Sequence, residues 1–300
     1  TADFKSRYIH PSSSGTYKLK FNVTFNKDKD PSKEGNKYCI TSSEVKVAEH
    51  PAYEDSKLVF DNKEYVLIDE INPNLFATRD EKGKYISQTY PLKNGETLTI
   101  DYSNSKTRAK LTSVILNSFD PKITAIGNDF LYYCSNITTL TLPKIWNITS
   151  IGNNFLHTAW GLTNLDLSML SSIDTIGDYF LYSNRNLISV DLSSLKNVTS
   201  VVGYFMQMCD GITEINLSCL SNLESFGVMF LQNCKKLETL TLPSSWKVSI
   251  INRSFLDSCY ALKAVTLPTS TNDINRIDEK FLYGCKALTT INLPETWTVT

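Results

Sequence analysis

Ile151-Gly152-Asn153-Asn154-Phe155-Leu156-His157-Thr158-Ala159-Trp160-Gly161-Leu162-Thr163-Asn164-Leu165-Asp166-Leu167 is one unit of a repeat. Its Phe returns at Phe130, Phe155, Phe180, Phe205, Phe230 and Phe255 in steps of 25 residues, then at Phe281 after one inserted residue. Neither an amphipathic helix nor a lone strand needs such a period. A solenoid does, because each unit buries its apolar face only against the next one. Such proteins usually work through an extended surface, not a pocket.

The second half of the unit reads Leu-x-x-Leu-x-Leu, and its last two apolar residues are two apart, the spacing of a strand. The phrase recurs at Ile137/Leu140/Leu142, Leu187/Val190/Leu192, Ile212/Ile215/Leu217, Leu237/Leu240/Leu242, Leu262/Val265/Leu267 and Leu288/Ile291/Leu293. An incomplete copy, Leu111/Val114/Leu116, begins the array. Eight strands are expected, in one parallel sheet at about 4.8 Å per step. In the first half, apolar residues at Phe, Phe+1 and Phe+4 share one face of a single helical turn, which predicts a short helical or 3-10 turn on the far wall. Gly127, Gly152, Gly177 and Gly227 precede it, where a sharp turn is expected.

The pattern Ile-Gly-x-x-Phe-Leu-x-x-Cys-x-x-Leu-x-x-Leu-x-Leu-Pro resembles the leucine-rich repeats of the BspA-like bacterial surface-antigen family. That family usually has Ala-Phe where this chain has Phe-Leu, and a slightly shorter repeat. The resemblance covers roughly residues 111–300. It implies a right-handed, curved leucine-rich repeat solenoid, with a parallel β-sheet and short helical or 3-10 turns opposite. By analogy alone it implies extracellular adhesion or host-protein binding at a cell surface or in secreted form. It supplies no catalytic residue.

Thirty Lys and Arg nearly balance 31 Asp and Glu, which argues against nucleic acid as a partner. No apolar run reaches the ~18 residues of a membrane helix, so no membrane span is expected in this chain. Residues 1–110 carry 18 Lys/Arg and 16 Asp/Glu, against 12 and 15 in the remaining 190, so charge density falls sharply near Ser103–Lys110. That shift divides the chain into a β-rich domain at 1–104 and an array of about seven 25-residue repeats at 105–300. In the first part, Tyr17, Leu19, Phe21, Val23 and Phe25 alternate with polar residues as a half-buried strand. Leu58–Phe60 and Tyr65–Ile68 flank Asp61-Asn62-Lys63 as a hairpin; Leu75–Thr78 and Tyr85–Gln88 read as a second. A small sandwich-like domain, immunoglobulin-like in outline, is the expectation, with capping of the solenoid as its simplest role.

Five of seven cysteines, Cys134, Cys209, Cys234, Cys259 and Cys285, share one repeat position, as do Ala159 and Asn184. A buried column of small side chains is expected there, without disulfides or metal, because paired C-x-x-C spacing is missing. Cys39 and Cys219 have no role on sequence grounds. His157 shares its slot with Tyr132, Tyr182, Gln207, Gln232, Asp257 and Tyr283, which reads as an exposed turn position. His10, His50 and Ser12–Ser14 read as loop residues. No catalytic motif is present, so neither enzyme activity nor a cofactor is expected.

The exposed side of the strands offers Thr139, Thr141, Asn164, Asp166, Ser189, Asp191, Glu214, Asn216, Thr239 and Thr241 as candidate ligand-binding residues. They are small, polar and mildly acidic, and also read simply as a ladder that solvates the sheet. Trp146, Trp160, Tyr182 and Trp246 are candidate rim aromatics, since such rings suit interfaces. Trp146 and Trp246 also read as core plugs, taking the gap filled elsewhere by Leu170, Leu195 and Leu220. Six Asn-x-Ser/Thr matches are no more than an Asn- and Thr-rich chain yields by chance. The start at Thr1 reads as a processed or trimmed end. Trp297-Thr298-Val299-Thr300 stops in mid-repeat, which predicts either further chain or self-association through the uncapped C-terminal edge. The sequence thus points to a recognition or adhesion module for a protein or glycan ligand. The alternative is a structural component of a virus particle or surface assembly.

Overall fold

The computed structural model describes residues 56–66, 85–91, 97–101, 103–116, 124–144, 148–272, 274–295 and 297, with residue 82 and shorter strands at 15–17, 20–24, 37–41, 45–47 and 78–79. The chain forms two compact units, Thr1–Ala52 and Tyr53–Thr300. In the first, Gly15–Tyr17 pairs antiparallel with Val45–Val47, and Lys20–Thr24 with Lys37–Thr41. His10, Ser12–Ser14 and His50 lie outside the described residues.

The second unit holds the repeats. The expected hairpin is present as Lys57–Phe60 and Lys63–Val66, turned by Asp61 and Asn62 at φ 51° and 60°. Two successive left-handed residues match the twist of the flanking strands. Lys57–Phe60 also pairs antiparallel with Leu111–Ile115, the first strand of the array, so the hairpin covers that edge of the sheet. A three-stranded antiparallel sheet, Thr78–Arg79, Tyr85–Pro91 and Thr97–Asp101, buries Tyr90 and Ile100 in the same apolar cluster.

All eight expected face strands form: Leu111–Ile115, Thr139–Thr141, Asn164–Asp166, Ser189–Asp191, Glu214–Asn216, Thr239–Thr241, Ala264–Thr266 and Thr290–Asn292. They pair parallel and in register with the repeat, as in Leu165 with Val190. The single sheet expected from the sequence is instead four two-strand ladders among these strands, one of them extended by the hairpin. Strands of three residues direct only one or two peptide groups at each neighbour, so a slight divergence opens a ladder.

The structure adds a second sheet, which the Leu-x-Leu spacing does not predict. Ala125–Ile126, Ser150–Ile151, Thr175–Ile176, Ser200–Val201 and Ser225–Phe226 pair in parallel, one per coil. The run stops after Phe226, where the side-chain amide of Asn252 donates to the Phe226 carbonyl. One coil earlier, the backbone N–H of Gly227 makes the equivalent bond to Val201. The glycines that follow these strands serve close approach, not a left-handed turn. A Cβ at Gly227 would lie 1.5 Å from the Val202 carbonyl oxygen.

The Phe-Leu turns are not helical, contrary to the expectation from the apolar spacing; short 3-10 turns form instead after the strands, at Leu195–Asn197 and Leu220–Asn222. Every second residue through the Phe-Leu turn has positive φ, as at Asp129, Leu131 and Tyr133 (62°, 52° and 56°). The pattern repeats in all seven turns, almost always without glycine. A left-handed L-residue costs about 1–2 kcal/mol. The compensation is visible in the hydrogen bonds. Asp129 N–H donates to Asn153 O, Leu156 N–H to Phe130 O and Tyr133 N–H to His157 O, each at 2.8 Å. Alternating handedness turns the N–H groups of successive left-handed residues toward the coil after and the coil before, so the turn wall is itself an inter-coil ladder. Beneath it the Phe rings stack with centroids 4.9 to 5.9 Å apart.

Candidate functional site

All ten candidate side chains on the strand face, from Thr139 to Thr241, are exposed, while the apolar residue between each pair points inward. They do not all stand idle. Asp166 accepts from the Ser168 N–H at 2.9 Å, Asp191 from Ser193 at 2.9 Å and Asn216 from Ser218 at 3.0 Å. Each closes a turn at the end of its strand. The same position is Thr141, Thr241, Thr266 or Asn292 where the residue two further on is Pro143, Pro243, Pro268 or Pro294, which has no N–H to satisfy. The acidic middle of the face is therefore partly turn chemistry. The hydroxyl and amide of Ser168 hold the Asp166 carboxyl below its usual range. Ser189 Oγ donates to Asn164 Oδ1 at 2.7 Å, whereas Thr139, Thr141, Glu214, Thr239 and Thr241 present their polar groups to solvent. A cleft of about 130 Å³, lined by Asp191, Ser193, Asn216, Ser218 and Cys219 among others, opens where the ladder is interrupted between Ser189–Asp191 and Glu214–Asn216.

Of the rim aromatics, Trp160 is 42% exposed and Tyr182 half-buried. Trp246 is not at a rim. It is 2% exposed and packs against Phe226, filling the gap that Leu170, Leu195 and Leu220 fill in other coils. Trp146 lies outside the described residues. Aromatic rings gather instead on the turn wall of the first coils, where Tyr132, Tyr133, His157, Tyr179, Tyr182 and Tyr204 contact one another. Arg108, from the short helix Ser105–Arg108, lies 5.3 Å from the Tyr133 ring centre.

His157 corrects the sequence reading. It is 8% exposed, ringed by tyrosines, with Nδ1 3.1 Å from Asn154 Oδ1. Burial depresses its pKa from 6.5 to about 4, so the ring is neutral at ordinary pH. The polar residues of its slot are satisfied sideways along the stack. Gln207 donates to Gln232, and Gln232 Nε2 donates to Asp257 Oδ2 at 2.7 Å. A polar slot is thus not an exposed one when the neighbouring coils supply its partners.

The cysteine column has the same logic. Cys209, Cys234 and Cys259 are buried, and each thiol lies 3.2 Å from the carbonyl oxygen of the left-handed residue one coil back: Leu181, Met206 and Leu231. Asn184 does this with its amide, donating to Leu156 O at 2.9 Å, which explains why Cys and Asn share the slot. Cys219, without a role in the sequence reading, donates to Leu192 O just as Ser194 donates to Leu167 O. Burial pushes the Cys134 and Cys209 thiols up to about 12, which suppresses thiolate chemistry. Among the described residues no three His, Cys, Asp or Glu side chains gather as a metal site, and no helix is long and apolar enough to cross a membrane.

Comparison with known proteins agrees with the repeat geometry. The family model described as BspA type leucine rich repeat region matches in six copies, over residues 102–226 and 199–300. This chain belongs to the BspA-type leucine-rich repeat family. The BspA-type array shares 15% identity with a leucine rich cell surface protein from Faecalibacterium prausnitzii A2-165, over 61% of this chain and 73% of that one, with a TM-score of 0.27. A leucine-rich repeat protein from Eubacterium ventriosum ATCC 27560 is similar at 15% identity over 70% and 83% of the two chains, with a TM-score of 0.23. One from Bacteroides ovatus ATCC 8483 matches at 15% over 64% and 75%, with a TM-score of 0.22. No curated protein matches the BspA-type chain.

Proposed function

We propose that this chain is a non-enzymatic recognition and adhesion module of a cell-surface or secreted protein, taking a protein or glycan ligand on the strand face of its repeat array. The array is read as residues 105–300, with the hairpin strand Lys57–Phe60 covering its first strand. One observation carries the proposal. A row of exposed polar side chains repeats across successive coils, and Thr139, Thr141, Glu214, Thr239 and Thr241 within it close no strand-end turn. Such a surface offers hydroxyls and a carboxylate at regular spacing to an extended polar ligand. The family assignment supports the same direction by analogy.

Two experiments test it. Protease shaving of intact source cells, read by mass spectrometry, is expected to release peptides from 111–300; their appearance only after lysis would contradict surface display. The immobilised chain, probed with a glycan array and a panel of extracellular glycoproteins, is expected to retain ligands that a T139K/E214K/T239K/T241K variant loses. Equal retention by the variant would remove the strand face as the site.

A further inference from the structure

Tyr179 and Tyr204 occupy the same slot on neighbouring coils, 25 residues apart. Both backbones are left-handed, at φ 59° and 53°, so the two side chains leave the turn wall in the same direction. Their rings lie 4.2 Å apart, centroid to centroid, and 13° from parallel. With the rings nearly parallel at this spacing, the two phenols face one another across the boundary between coils. Tyr179 N–H donates to Gly203 O at 3.1 Å, which fixes the spacing from the backbone. Both side chains are half-buried, so an edge of each ring can give up an electron to an oxidant at the surface while the stack holds the pair.

The other tyrosine pairs in this wall differ. Tyr132–Tyr133 and Tyr179–Tyr182 meet edge-on, at 71° and 79°, within a single turn. Among the described residues, Tyr179 and Tyr204 are the tyrosines stacked face to face between coils.

We propose that Tyr179 and Tyr204 form a site of oxidative cross-linking, where hydrogen peroxide acting through a haem peroxidase joins the two rings as dityrosine. Each phenol gives up one electron and one proton. Each resulting radical places spin on the carbons beside its oxygen, and one such carbon from each ring forms the new C–C bond. The hydrogens on those carbons leave as protons while both rings regain aromaticity and both oxygens regain a proton. In sum the pair loses two hydrogen atoms, and one peroxide is reduced to two waters. The product is a covalent staple between adjacent coils. Solenoid stability resides in such nearest-neighbour interfaces, so the staple resists local unravelling.

The test treats the whole chain, at low protein concentration, with a haem peroxidase and limiting hydrogen peroxide. The expected product is a monomer lighter by two hydrogen atoms, with blue dityrosine fluorescence. Its digest should contain one branched peptide joining the segments around Tyr179 and Tyr204, and its melting temperature should rise. Tyr204→Phe should abolish the fluorescence and the branched peptide. Its fold is checked by circular dichroism, and Met229 in the equivalent slot shows that the position does not demand a hydroxyl. Tyr132→Phe, elsewhere in the wall, should cross-link like the parent. A covalent dimer as the main product, a linkage between other tyrosines, or undiminished fluorescence in Tyr204→Phe would each overturn the proposal.

Discussion

The strand wall and the turn wall face the same stacking problem and answer it differently. On the strand wall the backbone is extended, strands pair in twos, and several side chains are left to solvent. On the turn wall the backbone alternates handedness, the N–H of each left-handed residue from Asp129 to Ser258, wherever a neighbouring coil reaches it, bonds to that coil, and side chains such as Asn184, Gln232 and Cys209 add further links. The lesson is a division of labour. The wall with the unusual backbone holds the coils together, and the wall with the ordinary backbone is available for contact with other molecules.

The largest effect expected from breaking the turn wall is at Asn184, 1% exposed. It accepts from Ala159 N–H at 2.8 Å and donates to Leu156 O and Leu181 O at 2.9 Å. Asn184→Ala strands those buried groups and should cost about 3 kcal/mol in urea unfolding. A loss below about 1 kcal/mol would mean the column does little. His157 gives an effect of similar size that pH switches on. Unfolded, the ring binds its proton near 6.5; folded, near 4. In that interval the unfolded chain holds the extra proton, so stability falls as pH drops from 6.5 and the full loss, about 3 kcal/mol, is reached below 4. His157→Gln, which installs the residue found at 207 and 232, should remove this component from the difference between unfolding at pH 7 and pH 4.5. Parallel pH curves for parent and variant would contradict the burial.

The strand wall should respond more weakly. Asp166→Thr removes the turn-closing acceptor and should cost about 1 kcal/mol, by analogy with lost caps. Adding Ser168→Pro, which recreates the Thr-Leu-Pro ending of other coils, should recover most of it. A double variant no better than the single one would refute the link between residue choice and turn. Thr239→Lys with Thr241→Lys, fully on the exposed face, should change stability by no more than about 0.5 kcal/mol. A larger loss would show that the face is structural after all.

The solenoid is legible in the sequence because a strict 25-residue apolar period fits stacked coils and almost no other fold, and all eight face strands fall where Leu-x-Leu places them. The turn wall is not, because apolar residues at Phe, Phe+1 and Phe+4 fit one helical turn as well as an alternating one. What separates the two is where the backbone N–H groups go, and that depends on neighbouring coils. His157 misleads for a related reason, since polarity in a slot does not mean contact with water. Trp246 can be placed from sequence by its exchange with Leu170, Leu195 and Leu220, which argues for the core. The pairing of Asp166, Asp191 and Asn216 with following serines, against Thr141, Thr241 and Thr266 with following prolines, is also readable, with Asn292 before Pro294 the exception. It marks these residues first as turn closers and only then as ligand candidates. Asn184 among the cysteines is a further usable signal, because both are small donors to the coil before.

Hydrogen–deuterium exchange resolved to single amides tests the division of labour most directly. If the turn wall holds the stack, the N–H groups of Leu156, Leu181, Met206 and Leu231 exchange only through unfolding of the array, at least as slowly as those of Leu165 and Ile215 in the strands. Rapid exchange at these four residues, at the rate of an open surface turn, would contradict the account.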